Sequence, residues 1–183
     1  TERAVKEVIR RLRSYQTVDG SFSYWPGGTG SNAWGTVYAT HFLLEAEKKG
    51  YLVPEGMKRD VLNDLSRIAR NWKPETSYWA ESEEMTQAYR LFVLALGQTA
   101  EVGAMNRLKE SKTLAPMSRY LLAAGYALVG RPDVSKELVA KTTALTTAYS
   151  EYDRTFGSDL RDNSIRLMTL CLLDGGKEAA LLA

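Results

Sequence analysis

Few residues in this chain are of a type that does covalent or metal chemistry. The 183 residues include one cysteine, Cys171, and one histidine, His41. An internal disulfide is therefore impossible, and a His/Cys zinc cage is close to excluded. Cys171 precedes Leu172, Leu173 and Asp174 in an apolar helical pattern, so it is expected to be a small core residue. His41 falls inside another apolar pattern, where a hydrogen-bonded core imidazole is expected before a general base. The carboxylates Asp19, Glu81, Glu83, Glu84, Asp153 and Asp159 could supply the paired acids of a glycosidase, which stand about 5 to 10 Å apart. Several of them also sit where an acid simply favours a helix N-terminus. Gly27, Gly28 and Gly30 precede a helix, but no strand comes before them and no Gly-Lys-Ser/Thr follows, so a turn is expected and not a phosphate cradle. Asp159, Arg161 and Asp162 read as a solvated cap at a helix start. No catalytic residue, metal ligand or cofactor is assigned.

Aromatic residues form a clearer constellation. Ser23-Tyr24-Trp25 precedes one apolar helix pattern and Ser77-Tyr78-Trp79 precedes the next, while Tyr149, Tyr152 and Phe156 hold the comparable place before the last. In an array of helix hairpins such loops gather at one end. Tyr24, Trp25, Tyr78, Trp79 and Tyr152 are therefore the candidate interaction surface, with capping of the hydrophobic core as the competing role.

The elements that carry these loops follow from hydrophobic periodicity. Val5, Val8, Ile9 and Leu12 recur at helical spacing among charges, and the same single stripe returns over Met57 to Trp72, Glu101 to Glu110 and Asp133 to Leu145. Between them, Ala33 to Lys49, Met85 to Leu96, Met117 to Val129 and Asn163 to Leu173 are apolar around most of their circumference, which predicts buried helices and, for Trp34, a buried indole. Glycines at 50, 97, 130 and 175 end the apolar helices, Pro116 and Pro132 sit near the starts of their helices, and Ser82 and Ser158 are candidate N-caps. Repeats of this size mark helix hairpins. The class is all-α: an α/α toroid, read as a partial ring of hairpins alternating inner and outer helices, with residues 1–183 as a single domain. The chain opens and closes within helical patterns and reads as a piece of a longer one.

Composition agrees with a packed domain, at 44% hydrophobic and 25% charged residues. The 24 basic and 22 acidic residues are interspersed, so no nucleic-acid footprint forms. No apolar run reaches the roughly 20 residues of a membrane helix, so this segment is not expected to insert directly.

Gln16, Gly20 and Phe22 fit a Q-x-x-x-G-x-F pattern that resembles the repeat of terpene cyclases and related toroids. Asp19-Gly20-Ser21-Phe22, then Tyr24-Trp25-Pro26-Gly27-Gly28, then Ala33-Trp34-Gly35-Thr36-Val37-Tyr38-Ala39 look like the thioester-domain region of the α2-macroglobulin and complement family, where a D-G-S/G-F turn leads into a W-L-T-A-Y/F helix. Gly35 stands for the usual leucine and Val37 for the alanine. The bacterial branch is the nearer likeness, through Leu43-Leu44-Glu45-Ala46, Phe156 to Asp162 and Ser118 to Gly130. The resemblance implies a helical module of a protease trap, secreted, periplasmic or tethered to a membrane through its parent chain. Its partners would be neighbouring domains of that chain and target proteases. The family's Cys-x-Glu-Gln thioester motif would lie before Thr1, and the loop that holds a histidine in some members, here Tyr78 to Glu84, has none. No acyl-transfer role is carried over. The alternatives are a toroid enzyme acting on polysaccharide and a plain interaction scaffold.

Overall fold

The computed structural model describes residues 2–74, 76–111, 114–142 and 157–174. Among these residues there are eight helices and no strand: α1 (Glu2–Leu12), α2 (Ala33–Lys48), α3 (Glu55–Asn71), α4 (Ala80–Leu96), α5 (Val102–Lys109), α6 (Pro116–Leu128), α7 (Pro132–Ala140) and α8 (Asp159–Asp174). The chain is all-α, as its periodicity predicts. No described helix is long and apolar enough to cross a membrane. The helices fall into two compact units, Thr1–Asn71 and Trp72–Ala183.

In the first unit α1 and α3 both pack on α2. On α1, Ile9 is buried while Lys6, Arg10 and Arg11 pair along the surface with Glu2 and Glu7. On α3 the stripe of Met57, Val61, Leu62, Leu65 and Ala69 is buried. The expectation that α2 is buried all round holds for one face only. Thr36, Val37, Thr40, Leu43 and Leu44 are buried, whereas Trp34 is half-buried and Tyr38 is 63% exposed. At about 100° per residue, Trp34 and Tyr38 lie about 120° and 160° around the helix from buried Thr40, so an apolar circumference does not imply a covered one.

In the second unit α4 has the all-round burial expected of it, with every residue from Glu84 to Ala95 buried. Its partner is α6, where Tyr120 to Tyr126 are buried and which also contacts α5, α7 and α8. Gly125 allows the close approach, since a Cβ there would stand 3.5 Å from Phe92 Cα and 3.2 Å from Met105 Cε. The hydroxyls of Ser135 on α7 and Thr169 on α8 donate to the α6 carbonyls of Ala123 and Tyr120, at 2.6 and 3.1 Å. Tyr126 donates to Asn106 Oδ1 at 2.6 Å, and burial pushes its phenol up to about 12.

Helix ends depart from the sequence in a few places. Pro116 and Pro132 do open their helices, and Gly50 and Gly130 adopt positive φ as C-terminal stops. After α4 the left-handed position belongs to Gln98 (φ 60°), not to Gly97 (φ −79°). Gly175 lies outside the described residues. Ser158 accepts from the Arg161 amide at 3.1 Å, as an N-cap does. Ser82 instead lies within α4 and donates back to the Trp79 carbonyl at 3.0 Å. Cys171 is exposed, contrary to expectation. Thr169 and Leu170 take the buried side of α8, and the next residue turns outward.

Candidate functional site

The Asp19-Gly20-Ser21-Phe22 turn is densely pinned to the helices beside it. Gln16 donates from Nε2 to the carbonyls of Gly20 and Met57, both at 3.1 Å, which joins the turn to the start of α3. Ser21 donates to the buried Asp64 carboxylate on α3, and Arg67 donates to the same carboxylate from solvent. Thr36 on α2 accepts from the Phe22 amide at 2.9 Å and donates to the Phe22 carbonyl at 3.1 Å. Phe22 thereby drops into the core at 2% exposure. The glutamine of the Q-x-x-x-G-x-F pattern is thus a clasp between loop and helix. Asp64 escaped sequence reasoning, because an acid between Asn63 and Leu65 looks like part of a solvated face. Asp64→Asn retains an acceptor for Ser21 but loses the charge-assisted contacts; it should cost about 1 to 2 kcal/mol in urea unfolding.

Beyond Phe22 the chain closes a tight loop and presents its aromatics outward. Ser23 donates its amide and its hydroxyl to the Tyr15 carbonyl, at 2.8 and 2.9 Å, and Gly27 donates to Ser14 O at 2.7 Å. The Asn32 amide returns to Phe22 O at 2.8 Å, and Asn32 Oδ1 caps α2 by accepting from Gly35 N at 2.6 Å. A Cβ at position 35 would come within 2.8 Å of that Oδ1, which accounts for glycine where the family pattern has leucine. Tyr24 and Trp25 are 60% and 71% exposed, with rings edge to face at 5.0 Å and 79°.

The second unit repeats the motif. Tyr78 is 82% exposed, Trp79 is half-buried, and their rings meet at 4.9 Å and 85°. Trp79 occupies the N-cap position of α4 without a side-chain cap. The fifth candidate, Tyr152, lies outside the described residues.

Of the candidate acids, Asp153 lies outside the described residues. Glu81 and Glu84 share a cleft of about 510 Å³ with Trp72, Pro116 and Arg119. They stand three residues apart on one helix face, not across a gap, which is not how two acids flank a scissile bond. Glu84 is also engaged elsewhere: one oxygen accepts from the Ala115 amide at 2.9 Å, and the other lies 3.4 Å from the Ser111 hydroxyl. Ala115 is the N-cap of α6, so this carboxylate satisfies an amide that the helix cannot. Burial pushes the Glu84 carboxyl up, against the pull of the Ala115 amide. The folded state therefore binds the proton of this carboxyl more tightly than the unfolded chain does. Its contribution to stability is full below the ordinary value of 4.5 and is lost as pH rises through the raised one. The stability of wild type relative to Glu84→Gln should accordingly fall as pH rises above the ordinary value of 4.5, as read from urea midpoints. A flat difference would mean that Glu84 is not desolvated.

His41 is half-buried on α2, and burial pulls its ring below the usual histidine range. Of the expected solvated cap at the start of α8, Asp159 is exposed, but Arg161 and Asp162 form a covered ion pair. Asp162 is 3% exposed and accepts from Arg161 at 2.9 Å. Among the described residues no group of three or more His, Cys, Asp and Glu is placed to hold a metal ion.

Comparison with known proteins supplies what the site alone does not. No family profile matches the chain. The α2-macroglobulin of Escherichia coli K12 is 31% identical over 171 residues, covering 88% of this chain and 10% of that protein. That of Xylella fastidiosa Temecula1 is 28% identical over 166 residues, covering 87% of this chain and again 10% of the relative. The chain thus spans about a tenth of the length of the curated relatives it matches. The native conformation of E. coli α2-macroglobulin, solved by cryo-EM, matches 99% of the chain and 12% of its own, with a TM-score of 0.83 at 26% identity. The E. coli protein activated by porcine elastase matches 99% of the chain and 17% of its own, with a TM-score of 0.82 at 25% identity. An all-helical, toroid-like fold and a sequence match along nearly the whole chain agree, and together they support a bacterial α2-macroglobulin-like fragment.

Proposed function

We propose that the chain is a non-catalytic helical module of a longer protease trap, docked against neighbouring domains of its parent polypeptide. The observation that carries this reading is the fold match to native E. coli α2-macroglobulin over 99% of the chain. Support comes also from the acids, because Glu84 is committed to holding Ser111 and Ala115. The module's part in trapping is mechanical: a protease cuts elsewhere in the parent, and a rigid body shifts against its neighbours. Tyr24, Trp25, Tyr78, Trp79 and Tyr152 are its proposed docking residues. By family resemblance the parent works in the periplasm or outside the cell, in some members tethered to a membrane.

The test is to mix the full-length polypeptide with trypsin and follow two substrates. A trap should suppress cleavage of a large protein substrate while a small chromogenic peptide is still cut. Equal activity on both substrates, with and without the polypeptide, would leave only the scaffold or enzyme alternatives.

A further inference from the structure

Resting on the module reading above, we infer that Tyr24 and Trp25 form a preformed knob that seats in an uncharged, apolar pocket on another domain of the same polypeptide. The ring geometry argues against the obvious rival, an extended saccharide platform. Successive sugars stack on aromatic faces that lie open side by side, whereas these rings stand at 79°, so the edge of one is directed at the face of the other. A perpendicular pair fills a pocket instead of paving a groove.

The loop has also met in advance much of the entropy that docking costs. Its base is closed by the Ser23 and Gly27 amides on Tyr15 and Ser14, and by the Asn32 amide on Phe22. Within it, the Ser23 hydroxyl lies 2.6 Å from the Trp25 carbonyl and the Gly28 amide reaches the same carbonyl at 3.1 Å. A closed loop with such ties has little freedom left to lose on binding.

Charge narrows the partner further. From Gly20 to Asn32 no residue is ionisable at neutral pH, so nothing in the loop selects a charged ligand. Aromatic anchors amid uncharged neighbours match the desolvated centre of a protein interface, not its rim. The partner is assigned to the same polypeptide because relatives of this chain are about ten times its length, so about nine-tenths of such a polypeptide lies outside this segment.

The experiment places the photo-cross-linker benzoylphenylalanine at position 24 of the full-length polypeptide and maps adducts by mass spectrometry. The expected result is a cross-link to one site in another domain of the same polypeptide. Trp25→Ser should lower its yield about tenfold, and Trp25→Phe should largely retain it. Unfolding curves of each variant guard against a folding defect, which 71% exposure of Trp25 makes easy to avoid. Adducts spread over many sites, adducts only to a separate protein, protection by polysaccharide, or a yield that ignores Trp25→Ser would each overturn the inference. Trypsin trapping measured on the same samples keeps the two readings apart: trapping with no mapped cross-link removes the knob alone, and a mapped cross-link without trapping removes the trap reading alone.

Discussion

Gly20→Ala should destabilise the first unit by about 3 to 5 kcal/mol, out of proportion to one methyl group. Two penalties coincide at this position. Gly20 has φ +96°, a conformation that L side chains rarely adopt. A Cβ built there would lie 2.5 Å from the Asp60 carbonyl oxygen and 2.7 Å from its carbon. Those atoms are backbone of α3, so no flexible side chain can move aside. Relief requires the turn to lift away from α3, which would pull Ser21 off Asp64 and Gln16 off Met57. Hydrogen exchange should show the result locally, with protection lost at the Gly20 and Ser23 amides and at the start of α3. Gly27→Ala is the control. It also has positive φ, +70°, but nothing lies within 4 Å of its Cβ, so its cost should be the conformational part alone, about 1 to 2 kcal/mol. Equal losses in the two variants would mean that the close approach to Asp60 does not carry the effect.

How much of this was legible in the sequence depends on whether the deciding contact is local. Helix positions were legible because 3.6-residue periodicity records which face each helix buries, and proline at N1 and glycine at C′ act within a turn of where they stand. The aromatic loops were legible as a repeat. The exposure of Cys171 and the half-burial of Trp34 were not. Both lie in helices apolar around their circumference, and such a pattern leaves open which side a neighbour covers. The replacement of Gly97 by Gln98 as the left-handed stop after α4 shows a local preference overridden by one residue. Buried charge was the least readable. Asp64, Glu84 and Asp162 have the spacing of solvated residues, and only contacts far along the chain, to Ser21 for Asp64 and to Ala115 for Glu84, reveal them as internal ties.

That difference between an apolar helix and a covered one sets up the second large effect. Phe92→Ala should cost about 3 to 5 kcal/mol, and Trp34→Ala, though it deletes a larger side chain, only about 1 to 2. Phe92 is 2% exposed on α4, its ring stacks near Tyr89 at 6.4 Å and 22°, and α6 presses Gly125 against its backbone. Deleting that ring leaves a void in a core position that water does not reach. Trp34 is half-buried at the start of α2, where water already reaches the indole, so less apolar surface is lost and no closed cavity remains. The comparison is read from urea midpoints of the two single variants, and a Trp34→Ala loss equal to or above that of Phe92→Ala would contradict the packing described for α2. The expected order also fits the proposed role. A module that must shift against its neighbours needs its stability concentrated where helices bury one another, as α4 and α6 do. Its aromatic loops and the open face of α2 can then remain available to neighbouring domains, at little cost to the fold when that contact is released.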